Sequence, residues 1–357
     1  MFAVLEHSAA GLGAFRQRWQ TLLQDIWTNE PPSRLRRITP STPDPGNLDM
    51  LVYLPPRLRA KAPLVVALHG CAQTADAYDR GTGWSVLAEE HGFAVLFPQQ
   101  KPANNPYCCF DWFQPHDSER DRGEALSIQR MIRRMLVEHD LDPGQVYITG
   151  LSAGGAMSAV MLATYPELFA GGAILAGLPY RSASGPREAL GSMADGPSRP
   201  APEWGRLVRA ASGHPGPWPR LSVWHGDADT TVSPANADEI VKQWLDLHGL
   251  DPRPTLTYPV KGAVRRVWRD ARGRDCVELY RVPGLGHAVP ILPGAGDGRY
   301  GSEGPFMADV GLSSTRHIAE FWGVTRPGWA PWELAAGLTS LFGGLMAGFG
   351  RRSGSRA

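Results

Sequence analysis

The chain has 357 residues, with 36 Lys plus Arg against 35 Asp plus Glu for a net charge of +1, and 43% of it is hydrophobic. That length holds one large domain with extensions, or at most two ordinary ones. The balanced charge and the lack of any long basic tract argue against a nucleic-acid partner, and 41 Gly with 32 Pro beside so much apolar residue signal turns and long loops rather than disorder.

The first residues, MFAVLEHSAAGLGAFRQRW, have no positive region ahead of an apolar stretch, so no Sec signal is expected there. Residues 1–46 read as an extension, with an amphipathic helix around Phe15 to Trp27 and then a Pro-, Ser- and Thr-rich linker from Pro31 to Pro45. From 47 to 325 apolar runs alternate with helical patterns. The runs are LVYLP (51–55), LVVALH (64–69), FAVLFP (93–98), VYITG (146–150), GAILAG (172–177), LSVWHG (221–226) and VELYRV (277–282). Their near-continuous apolar character suits strands buried on both faces of a mostly parallel sheet.

Between them, Glu124 to His139 carries Leu126, Ile128, Met131, Ile132, Met135 and Leu136 at helical spacing, so the class is α/β. Tyr180 to Arg220, crowded with Gly, Pro, Ser and Ala, reads as a long excursion that could rim a site. A hairpin is expected from Leu256–Val260 and Val264–Trp268. The tail 326–357 holds an uncharged apolar run from Leu334 to Gly350 followed by Arg351 and Arg352. It is short and glycine-broken for a membrane span, and the expectation is at most weak association with a surface or granule.

The four cysteines, Cys71, Cys108, Cys109 and Cys276, are too few and too irregular for a disulfide scaffold and offer no metal-ligand spacing, so no metal is expected. Gly150-Leu151-Ser152-Ala153-Gly154 is a G-x-S-x-G pattern between a strand and an apolar helix starting near Ala156. A sharp strand-to-helix turn there lifts the Ser152 hydroxyl clear of the sheet, which makes it a nucleophile elbow. A serine hydroxyl needs a base and a third group to orient that base. His248 ends a helix, where a histidine is favourable for its own sake, and His317 sits inside SSTRHIAEFW. His287, in GLGHAVP after the strand VELYRV, lies where ligands meet an open α/β sheet and is the candidate base.

The acid falls on LSVWHGDADTTV, where spacing alone leaves Asp227 and Asp229 open. Ester cleavage also needs two donors for the developing oxyanion, expected from the amides of Ala153 and of Cys71 in the His69-Gly70-Cys71-Ala72 turn. Trp84, Tyr107, Phe110, Trp112 and Phe113 either line an apolar groove, with Trp84, Phe110 and Trp112 as the substrate-binding candidates, or pack in the core.

Taken together, LHGCAQTADAY, GWSVLAEEHGFAVLFPQQ, CFDWF, GLSAGGAMS, WHGDADTTV and GLGHAVP resemble the polyhydroxybutyrate depolymerase family of esterases from about Asn47 to Trp322. The resemblance implies an α/β-hydrolase fold, with a mostly parallel central sheet and helices on both faces. It further implies a serine carboxylic-ester hydrolase working through an acyl-enzyme without a cofactor. It places Ser152, Asp229 and His287 on the catalytic positions, His69 on the oxyanion histidine, and a disulfide between Cys71 and Cys109.

Short-chain polyhydroxyalkanoates are the first expected substrate, and feruloyl or acetylxylan esters the alternative. A non-catalytic surface protein, prompted by the apolar tail, is the distant third reading. Family members are extracellular, whereas the N-terminus leaves a cytoplasmic location open. Asp111 stands where the family's CFNWF-like motif usually has Asn, and Val289 where Trp often follows the catalytic histidine.

Overall fold

The computed structural model describes residues 32–39 and 43–325. The candidate helix around Phe15 to Trp27 and the apolar run Leu334 to Gly350 lie outside the described residues. Among those described, no helix is long and apolar enough to cross a membrane.

In chain order the strands are β1 (Arg36–Ile38), β2 (Asp49–Tyr53), β3 (Leu64–Leu68), β4 (Ala94–Gln99), β5 (Val146–Leu151), β6 (Gly171–Leu175), β7 (Arg220–Gly226), β8 (Leu256–Val260), β9 (Ala263–Arg269), β10 (Asp275–Val282), β11 (Val289–Ile291) and β12 (Met307–Asp309). The helices are α1 (Ala75–Thr82), α2 (Trp84–His91), α3 (Pro115–Ser118), α4 (Gly123–Glu138), α5 (Ala153–Thr164), α6 (Pro186–Asp195), α7 (Ala201–Ser212), α8 (Ala235–His248) and α9 (Ser314–Trp322).

Ten strands form one sheet in the order β1-β2-β4-β3-β5-β6-β7-β10-β9-β8. The stretch from β4 to β10 is parallel, and antiparallel strands flank it on both sides. The fold is that of an α/β hydrolase. Strands β3, β5 and β6 are buried at every residue, because helices cover both sheet faces. One core holds Ile128 and Met135 of α4, most of α5 and Trp244 of α8; the other holds Trp84 and Leu87 of α2 and Phe321 and Trp322 of α9. From β3 the chain goes to β4 on one side and, later, to β5 on the other. That is the switch point at which an open α/β sheet leaves a crevice at its carboxyl edge.

Three local features differ from the sequence reading. Arg36–Ile38, inside the expected linker, adds an edge strand to β2, and Ser127 on α4 ties the chain just after it by donating to Asp44 and accepting from the Gly46 amide. The excursion from Tyr180 to Arg220 contains α6 and α7. The third concerns two of the three substrate-binding candidates. Trp84 is fully buried, stacked on Trp322 at 5.8 Å and edge-on to Phe93 at 6.4 Å, and Tyr147 also stacks on Trp322, at 5.0 Å. Phe110 is equally buried, against the His69 ring at 5.0 Å. Both are core residues, because helix α2 and the Cys108–Phe113 segment turn these rings toward the sheet.

The Trp84→Ala variant should therefore lose about 3–5 kcal/mol of stability in urea unfolding. A solvent-exposed groove tryptophan would cost about 0.5 kcal/mol or less, and a loss that small would contradict the core assignment.

Candidate active site

Strand β5 ends at Leu151 and α5 begins at Ala153, so Ser152 alone makes the turn, at φ 57° and ψ −118°. A non-glycine residue holds that conformation only when its surroundings impose it. Here the Ser152 amide donates to the Leu175 carbonyl of β6 at 2.9 Å. A Cβ on Gly154 would collide with the Leu68 and His69 carbonyl oxygens at the end of β3, so only glycine lets α5 start this close to the sheet. The Ser152 side chain reaches a cavity of about 280 Å³ that His287 also lines.

His287 Nδ1 lies 2.8 Å from Asp229 Oδ2. Asp227, the other acid that spacing allowed, is exposed and accepts from the Gly284 amide instead, at 2.6 Å. It shapes the turn after β10. Asp229 is buried, and its Oδ1 accepts from the Thr231 and Val232 amides at 2.8 and 2.9 Å. Burial alone would raise its pKa, but hydrogen bonds from His225 and His287, the nearby His287 and the Val232 amide outweigh that and hold the carboxyl well below the usual range. His225, which the sequence reading passed over, approaches the same Oδ2 at 3.2 Å. His248 and His317 are elsewhere. The first bonds the Pro219 carbonyl, and the second is half-buried beside Trp224 and Tyr280, where desolvation pushes its pKa down to about 3.

After β3 the chain turns through Gly70, Cys71 and Ala72. The Gly70 amide donates to Gln73 Oε1 (2.8 Å) and the Ala72 amide to the Tyr107 carbonyl (2.7 Å). Among the described residues the Cys71 amide between them donates to no protein group, which leaves it available at the cavity wall. The Ala153 amide, in the first turn of α5, has no intrahelical acceptor either. His69 does not line the cavity. Its ring is buried, Nε2 accepts from the Gln100 amide (3.1 Å), and Nδ1 therefore donates to the Gly70 carbonyl (2.8 Å). That carbonyl belongs to the same planar peptide as the Cys71 N–H, so the ring fixes where the N–H points. Burial lowers the His69 pKa to about 4, which keeps this neutral tautomer at ordinary pH.

Cys71 and Cys109 are disulfide-bonded and both border the cavity; Cys108 and Cys276 are free and buried. The bridge joins the turn after β3 to the segment that carries Trp112 and Phe113, which form one wall. Pro186, Ala189, Leu190 and Met193 of α6 form another, and Phe306 stands edge-on to His287 at 6.1 Å. Of the three aromatic candidates, Trp112 alone lines the cavity. Asn105, Tyr107 and Thr231 add the remaining polar side chains; the α6 residues fall in the excursion expected to rim a site, whereas nothing in the sequence singled out Asn105. Among the described residues no cluster of His, Cys, Asp and Glu could hold a metal ion.

Asn105 is held from behind by Asp111, whose Oδ1 accepts its Nδ2 at 2.8 Å. The Asp111 amide donates to buried Glu124, which also accepts from Gln100. Burial raises Glu124 well above the usual range, with the charges of Asp111 and Asp117 adding to it, and burial pushes Asp111 up to about 6.

A family-wide sequence model described as "Esterase PHB depolymerase" matches residues 48–254. Poly(3-hydroxyalkanoate) depolymerase C of Paucimonas lemoignei is 45% identical over 282 residues, 79% of this chain and 68% of that protein. An acetylxylan esterase of Coprinopsis cinerea is 34% identical over 267 residues, 73% of this chain and 70% of that protein. The solved acetyl xylan esterase from Aspergillus awamori superposes with a TM-score of 0.70 at 26% identity, covering 82% of this chain and 99% of that one.

Because the folded Asp111 has a raised pKa, its protonated form stabilises the protein below the unfolded value, about 4. That stability is lost as pH rises toward about 6, since the folded state binds more protons than the unfolded chain across this window. The isosteric Asp111→Asn variant should therefore gain Tm relative to the parent at pH 7.5 and lose that advantage at pH 4. An equal Tm difference at both pH values would show that Asp111 ionises normally.

Proposed function

We infer that this chain, which belongs to the esterase PHB depolymerase family and is a carboxylic-ester hydrolase, cleaves short-chain polyhydroxyalkanoate esters through an acyl-enzyme on Ser152. The observation that carries the substrate reading is the cavity wall. Leu190, Met193, Trp112, Phe113 and Phe306 face the nucleophile, and His287 is the one ionisable histidine or charged-type side chain among the lining residues. An aliphatic polyester, with methyl branches and carbonyl acceptors but no hydroxyl clusters, fits such a wall. A xylan chain would ask for many directed hydrogen bonds. The greater identity to a polyhydroxyalkanoate depolymerase than to the acetylxylan esterase supports the same choice.

In this reading Asp229 holds His287 Nδ1, which leaves Nε2 to take the Ser152 proton as the oxygen attacks the ester carbonyl. The Cys71 and Ala153 amides stabilise the tetrahedral oxyanion. His287 then returns the proton to the departing alkoxide, so the hydroxyl-ended fragment leaves and the acyl group stays on Ser152. Water, activated by His287 in turn, releases the acid.

The test is turnover of purified protein on hydroxybutyrate oligomers, methyl ferulate and acetylated xylan, alongside p-nitrophenyl butyrate as a common reference. Hydroxybutyrate oligomers should give the highest kcat/KM; a preference for ferulate or acetyl-xylan would move the substrate to the plant-polymer esters. Ser152→Ala, His287→Ala and Asp229→Asn should each lower kcat by roughly 10³-fold or more, and their losses should not add. Near-normal turnover of folded Ser152→Ala would overturn the nucleophile assignment.

A further inference from the structure

We propose that His225 is a positioning residue for the acid of the triad, donating from Nε2 to Asp229 Oδ2 on the side opposite His287; this rests on the reading of Ser152, His287 and Asp229 given above. His225 is the penultimate residue of β7, and both its side chain and that of Asp229 are fully buried. Its Nε2 lies 2.9 Å from the Val232 carbonyl and 3.2 Å from Asp229 Oδ2. Both neighbours are acceptors, so the ring hydrogen resides on Nε2 and is shared between them. Among the described residues Nδ1 has no partner, which also favours the tautomer that leaves it without a hydrogen.

The carboxylate of Asp229 thus meets four donors: the Thr231 and Val232 amides at Oδ1, His287 and His225 at Oδ2. This number matches the lone-pair sites of a carboxylate. The shared hydrogen also ties the carboxylate to the Val232 carbonyl, so the acid and its loop are braced by the strand they leave. A second N–H on Oδ2 has an electrostatic consequence as well. It draws negative charge away from the atom that faces His287 and so weakens the pull of Asp229 on a protonated His287 ring. Removing it should strengthen that pull.

A further charged residue, Arg281, pairs in register with His225 on β10. It is committed to Asp238 at 2.6 Å and to the Pro234 carbonyl at 2.8 Å.

The experiment compares His225→Leu, which removes the donor, with His225→Gln, whose Nε2 can replace it, on p-nitrophenyl butyrate across pH 5 to 9. His225→Leu should lose roughly tenfold or more in kcat with KM within about twofold, and the acidic limb of its kcat/KM profile should move to higher pH. His225→Gln should recover most of the rate and return the limb toward the parent's position. Rates for His225→Leu within twofold of the parent, a loss with no movement of the limb, or no recovery in His225→Gln would each overturn the proposal. NMR of the ¹⁵N-histidine-labelled parent guards against a variant that fails to fold. His225 should show the Nε2–H tautomer with a resonance that shifts in Asp229→Asn, and an Nδ1–H tautomer would refute the assignment. Ser152→Ala, run in parallel, separates the two readings: if it retains turnover the triad is wrong, whereas a dead Ser152→Ala beside an unaffected His225→Leu leaves the triad standing and removes only His225.

Discussion

The structure hinges on one backbone constraint, the left-handed turn at Ser152. Strand β5 must end and α5 begin within a single residue, because only then does the hydroxyl clear the carboxyl edge of the sheet. Such a conformation costs of order 1–3 kcal/mol. The surroundings offset it: α5 is buried at every residue, its small side chains at Ala153, Gly154 and Gly155 let it lie against the sheet, and the Ser152 amide is held by β6. Lengthening the turn would relieve the strain but drop the hydroxyl away from the cavity that His287 lines.

The turns after β3 and β7 solve a common problem in a common way. Each starts with a His-Gly pair at a strand end, and each histidine is buried with its ring bonded to the turn that follows. His69 fixes the Gly70 carbonyl and with it the Cys71 amide, while His225 reaches Val232 and Asp229. The second glycine has a further use. A Cβ on Gly226 would collide with the Leu285 carbonyl, so only glycine there lets the loop bearing His287 approach the acid. Polar rings placed where the sheet ends supply bonds that loop backbone cannot make with itself.

Much of this was legible in the sequence, for identifiable reasons. The central strands stood out because they are buried on both faces and so carry unbroken apolar runs, and the elbow stood out because its chemistry demands glycine at fixed offsets. Trp84 and Phe110 were misplaced as groove candidates because an aromatic ring has the same composition signal in a core and in a groove, and only packing decides between them. Asp227 and Asp229 could not be separated by spacing, since both lie on one loop; what separates them is that one faces Gly284 and the other His287. His225 was passed over because it precedes the acid in the chain, although it stands beside it in space. Helices α6 and α7 were hidden by the Gly, Pro and Ser around them.

Those hidden helices bear on the shape of the cavity. Helix α6 supplies Ala189, Leu190 and Met193 to the cavity wall, and its backbone is fastened to the acid loop. The Met193 carbonyl accepts from the Ser233 amide at 2.7 Å, and the Ser192 carbonyl from Asn236 Nδ2 at 2.9 Å, while the Ser192 hydroxyl bonds back to the Ser182 carbonyl at 2.7 Å. The bonds run through main chain and through Ser192 and Asn236, not through the apolar side chains that face the cavity. The wall is therefore held in register with Asp229 by groups other than the apolar side chains that line the cavity. The side chains at 190 and 193 can then set the shape of the cavity without disturbing the hydrogen bonds that hold α6 to the loop after β7.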